Sequence, residues 1–86
     1  MPGSCETDVV LGAHLHARPA GQVVRAAARF SSDVEISFGG RTASARGILG
    51  LLALGATAGQ TVTVRATGDD APEALAAIVT ALTTTP

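Results

Sequence analysis

Apolar and polar positions alternate along some stretches of this chain and recur at helical spacing along others. Val34, Ile36 and Phe38 alternate with Asp33, Glu35 and Ser37, which predicts a half-buried strand. Val62, Val64 and Ala66 alternate with Thr61, Thr63 and Arg65, so Thr61 to Thr67 reads as another. Between them, Gly39-Gly40 signals a hairpin turn, because both positions take positive φ without a steric penalty. Arg41 to Ala45 then returns as a shorter strand with Ala43 and Ala45 inward. Thr7 to Leu11 is a first strand resting partly on β-branching, since Val10 breaks the alternation. Ala20, Val23, Val24 and Ala27 fall at i, i+3, i+4 and i+7, one apolar stripe on a helix over Ala17 to Arg29. Pro19 fits its first turn, where a missing N–H does no harm. Leu75, Ile78, Val79 and Leu82 form a second stripe, on a helix opened by Asp70 as N-cap with Glu73 three residues on. Gly47 to Leu54 is a short helix with Gly55 past its end; it carries more apolar side chains than one buried face of two turns can take.

The predicted order is β-α-β-β-α-β-α, an α+β chain in which two amphipathic helices cover one apolar sheet face. Pattern alone does not fix the strand order. No linker or repeat divides the 86 residues, so they read as one domain, 1–86, with 1–4 and 83–86 frayed. A chain this short buries only about 60–65% of its unfolded surface, and its core is restricted to Val, Ile, Leu, Ala and two Phe.

Charge removes whole classes of function. The net charge is −1, with no lysine, and this argues against bulk attraction to nucleic acid or membrane. The apolar run from Ile48 to Ala56 is broken by glycines and too short to span a bilayer. No charged-then-apolar leader opens the chain, and the single Cys5 fits a reducing compartment. A cytoplasmic protein is expected.

The chemistry gathers at one corner. His14-Leu15-His16-Ala17-Arg18-Pro19-Ala20 lies where a strand ends and a helix begins. A helix start presents unpaired N–H groups and the positive end of the dipole, both of which favour an anion. A neutral imidazole, with an ordinary pKa of about 6.5, is available as a nucleophile at neutral pH. His16 can therefore take up a phosphoryl group, and Arg18 can hold its charges with paired hydrogen bonds. His14 and His16 form a His-x-His pair that could ligate zinc or copper. Two ligands do not make a site, however, and no Cys or carboxylate cluster completes it, so neither metal nor cofactor is expected.

Leu15-His16-Ala17-Arg18-Pro19-Ala20 resembles the active-site motif of HPr, the histidine-containing phosphocarrier family of the phosphoenolpyruvate-dependent sugar phosphotransferase system. The resemblance runs without a gap from about Val9 to Leu82. It implies an HPr-like open-faced two-layer sandwich, a four-stranded antiparallel sheet with three helices on one face. It also implies that His16 is phosphorylated on Nδ1 by Enzyme I, that Arg18 steadies the phosphate, and that the group passes on to IIA domains of sugar transporters. On this reading the chain is a monomeric component with a phosphohistidine intermediate rather than a stand-alone enzyme. Ile48, Leu49 and Leu52 match the apolar residues that HPr presents to partners, and Arg25, Arg29 and Arg46 can steer acidic ones. Leu51 and Leu54 are expected in the core. Two positions depart from the family pattern. His14 stands where the family usually has Gly. Gly47 stands where many Gram-positive members carry a kinase-regulated serine; the nearest hydroxyl is Ser44, and no regulatory phosphoserine is expected at the usual place. The alternatives are an HPr-like regulatory binding module, or a carrier for a nitrogen-related or dihydroxyacetone kinase relay.

Overall fold

The computed structural model describes residues 3–83. Its elements run β1 (Gly3–Val10), α1 (Ala17–Ala27), β2 (Asp33–Phe38), β3 (Arg41–Ser44), α2 (Ile48–Ala53), β4 (Thr61–Gly68) and α3 (Ala71–Thr83). The strands form one antiparallel sheet in the order β1-β4-β2-β3, with the helices on one face. The two helix-bearing crossovers place β4 between β1 and β2, a position that no residue pattern could specify.

The sheet's inner face carries Val9, Val34, Ile36, Val62, Val64 and Ala66, all buried. Against it pack Ala20, Val23 and Ala27 of α1 and Ala71, Ala74, Ile78 and Leu82 of α3. The buried line of α3 thus runs through its alanines, while Leu75 and Val79 are only half-buried. Small side chains let the helix backbone approach the sheet, so the true contact line is poorly marked by hydropathy. The outer face is open and polar. Glu6, Asp8, Asp33 and Glu35 lie on it, with Arg65 opposite both Glu6 and Glu35.

Several boundaries moved. Gly3 and Ser4, expected to fray, are strand residues, because β4 templates β1 along its whole length, from Val10↔Thr61 to Gly3↔Gly68. Thr83, also expected to fray, closes α3, its hydroxyl donating to Val79 O at 2.8 Å. The ends 1–2 and 84–86 lie outside the described residues. Helix α1 stops at Ala27 rather than Arg29, its chain tightening through Arg29 N–H to Ala26 O at 3.2 Å. The hairpin turn is as expected, with φ of 58° at Gly39 and 81° at Gly40.

Asp70 corrects the capping-box expectation. Its carboxylate turns to the α1–β2 loop, accepting from Ser31 N–H at 3.0 Å, from Ser32 N–H at 2.9 Å, and from the Ser32 hydroxyl. These donors, the Ser32 hydroxyl first, hold the Asp70 carboxyl down at about 2. Ser32 is itself buried and packs against Gly68. A Cβ on Gly68 would lie 2.7 Å from Ser32 Cα, and the φ of +147° suits glycine alone. The loops before β2 and before α3 are thereby locked together.

Candidate functional site

His16 is the N-cap of α1, in an extended conformation (φ −98°, ψ −169°). Its carbonyl accepts the first helical bond, from Ala20 N–H at 2.9 Å, and its N–H donates to His14 O at 2.9 Å. The backbone is thus fully used, while the imidazole makes no capping bond and is exposed. Pro19 has no N–H, so the helix start offers the N–H groups of Ala17 and Arg18. No acidic residue occupies the first turn. Arg18 is exposed in that same turn. An exposed imidazole therefore stands at a helix start that offers two backbone donors, with an exposed arginine in the same turn, an arrangement suited to an oxyanion.

The segment leading to His16 is firmly held. Leu15, between two exposed histidines, is buried, and its N–H donates to Ala56 O at 3.0 Å. Leu11 exchanges backbone bonds with Gln60 (2.9 Å) and Gly59 (3.0 Å), and Gly12 N–H donates to Leu82 O at 3.3 Å. His14 is exposed, but its ring has a partner: Nδ1 accepts the Ala58 N–H at 3.3 Å. Sequence reasoning missed this link, because a backbone amide 44 residues away leaves no trace in residue type.

Helix α2 packs against α1 and carries the second set of candidates. Leu51 and Leu54 are in the core, as expected. Leu49 is 79% exposed and Ile48 40%, with Leu52 half-buried beside them. Gly47 is the N-cap. Arg41 braces the far end, donating to Ala53 O at 3.2 Å, a role nothing in the sequence suggested. Arg25 is exposed, and its guanidinium lies back over Gly21, towards the His16 end of α1. Arg46, grouped by sequence with the steering residues, is committed locally. It donates to Phe30 O at 2.8 Å and Ser32 O at 3.1 Å, and lies 3.7 Å from the Asp33 carboxylate.

Among the described residues, no group of three or more His, Cys, Asp or Glu side chains is placed to hold a metal ion. No ligand-sized pocket is found among them, and no helix is long and apolar enough to cross a membrane. The His16 corner is open to solvent.

The family model for the "PTS HPr component phosphorylation site" matches residues 4–84, nearly the whole chain. The chain belongs to the HPr family, the phosphocarriers of the phosphotransferase system. Phosphocarrier protein HPr of Haemophilus influenzae is 35% identical over 81 residues, covering 94% of this chain and 95% of that one. The crystal structure of an HPr from Bacillus anthracis superposes with a TM-score of 0.86 at 33% identity, covering 92% of this chain and 96% of the other. The solution structure of Crh, the Bacillus subtilis catabolite repression HPr, gives 0.77 at 34% identity, covering 98% and 100%. The open-faced sandwich and its strand order are those of HPr structures.

Proposed function

We propose that His16 carries the phosphoryl group of this HPr-family phosphocarrier. The neutral imidazole attacks phosphorus through Nδ1, a P–N bond forms, and the bond to the donor's leaving group breaks. The N–H groups of Ala17 and Arg18 and the Arg18 guanidinium meet the incoming oxygens. A second attack, by the acceptor's nucleophile, breaks the P–N bond again. Because the corner is open on the surface, its stabilisation of the phosphoryl group is partial, which suits a group that must be passed on. The observation that carries this reading is the His16 imidazole, exposed at a helix start and unused by the cap. Enzyme I is the donor, charged by phosphoenolpyruvate, and IIA domains of sugar transporters are the acceptors, met by a monomer in the cytoplasm. Ile48, Leu49 and Leu52 form the apolar part of the docking surface and Arg25 its charged part, with Arg46 contributing by fixing the adjoining loop.

The test is phosphorylation by Enzyme I and phosphoenolpyruvate, read by intact mass at neutral pH. One phosphoryl group on the unaltered protein and none on His16→Ala is expected. Equal addition to both would reject His16. A second reading, a regulatory binding module, is favoured by the exposure of Leu49 and by the likeness to Crh. It predicts partner capture by His16→Ala as tight as by the unaltered chain, in the absence of phosphoryl transfer. With Gly47 opening α2, no phosphoserine is expected there. Ser44 Oγ accepts the Arg46 N–H at 3.2 Å, and a kinase that modified it would contradict this expectation.

A further inference from the structure

Building on the carrier reading, we propose that His14 is a positioning residue: its ring latches the His16 corner to the 56–60 loop, and only while its Nδ1 is free of a proton. Two bonds join the two segments at this point, and a third carries on within the corner. Leu15 N–H donates to Ala56 O, His14 Nδ1 accepts from Ala58 N–H, and His14 O in turn accepts the N–H of His16. The side chain of His14 thus holds the loop while its carbonyl holds the residue that carries the phosphoryl group. The loop is braced from its other side, since Gln60 Oε1 accepts both the N–H (2.7 Å) and the hydroxyl (2.9 Å) of Thr57. Ala58 N–H is therefore presented by a rigid turn.

The chemistry of imidazole makes this latch conditional. Nδ1 accepts a hydrogen bond only with its lone pair free, which places the ring proton on Nε2. A second proton turns Nδ1 into a donor facing a donor. Nothing nearby compensates the cation. The 56–60 loop is Ala-Thr-Ala-Gly-Gln, without charge, and the end of α3 that meets Gly12 carries no charged residue from Ala74 to Thr83. On the corner itself the titratable or charged neighbours are His16 and Arg18, a second imidazole and a fixed cation. Protonated His14 thus releases Ala58, and the corner loses the side-chain tether among the backbone bonds that hold it.

The experiment combines NMR of the unaltered protein with transfer rates. The Ala58 amide shift should follow the His14 ring through its titration, and His14→Asn, whose Oδ1 can accept the same N–H, should leave that amide flat. In phosphorylation by Enzyme I, His14→Asn should match the unaltered chain at pH about 8 and exceed it about two- to tenfold at pH about 5.5, the span one such hydrogen bond is worth. His14→Ala, without an acceptor, should be slower than the unaltered chain at pH about 8 and no slower than it at pH about 5.5. An Ala58 amide indifferent to His14, or parallel rate profiles for the unaltered chain and His14→Asn, would overturn the proposal. An unaltered chain that an active cognate Enzyme I cannot phosphorylate would instead overturn the carrier reading, and the positioning role with it, even where the Ala58 amide still titrates.

Discussion

Leu49 and Leu51 are the same residue type two positions apart on one short helix, and truncating each to alanine separates docking from packing. Leu49 is 79% exposed and Leu51 fully buried. Burying a whole leucine side chain is worth about 1.5–3 kcal/mol, so the fifth of Leu49 that is covered contributes about 0.3–0.6 kcal/mol. Removing Leu51 forfeits all of that and leaves a cavity, for about 2–5 kcal/mol. At this chain length each kcal/mol moves the melting temperature by about 4–8 °C. The melting temperature, followed by circular dichroism, should therefore fall by about 1–5 °C for Leu49→Ala and by about 8–40 °C for Leu51→Ala. The transfer assay should show the reverse order. A docking residue of this kind is worth more than about 1 kcal/mol of binding, so Leu49→Ala should raise the KM for the carrier in the Enzyme I reaction about tenfold. Folded Leu51→Ala, assayed below its transition, should keep an unaltered KM. Comparable melting losses in the two variants would refute the packing argument. An unchanged KM for Leu49→Ala would refute the docking one.

The Asp70 carboxyl, held at about 2 against an ordinary 3.8, stabilises the fold fully above pH 4 and loses that contribution as pH falls from about 4 to about 2. Melting temperature against pH should drop across that window, and Asp70→Asn should flatten this part of the curve; superimposable curves would dissociate Asp70 from acid sensitivity. Gly68→Ala places a methyl group against Ser32 and should destabilise the protein by about 1–3 kcal/mol in urea unfolding, with a loss below about 0.5 kcal/mol contradicting the close approach.

What was legible in the sequence was whatever depends on neighbours along the chain. Alternation placed β2 and β4, and Gly39-Gly40 placed the hairpin. The motif around His16 was readable for the same reason, since the nucleophile, Arg18 and the helix start are local. Features that need two distant segments were not. The first residues of β1 carry no strand pattern and become a strand through pairing with β4. Asp70 does stand at the N-cap position, its carbonyl accepting Ala74 N–H, but the sequence hides Ser31 and Ser32, which only the packed loops bring to its carboxylate. Arg46 looked like a free surface cation for the same reason.

The placement of charge on the two sides of the sandwich bears on how the molecule is met. Glu6, Asp8, Asp33 and Glu35 populate the open side of the sheet, and Arg18 and Arg25 line exposed positions of α1, with Arg29 exposed just past its end. The shortest dimension of the protein is 20 Å, more than twice the screening length of about 8 Å at physiological ionic strength. A partner at contact range therefore senses one side and is nearly blind to the other. The net charge of −1 describes neither. An acidic surface therefore meets arginines on the α1 side and mostly carboxylates on the open side of the sheet, and the two encounters differ in sign.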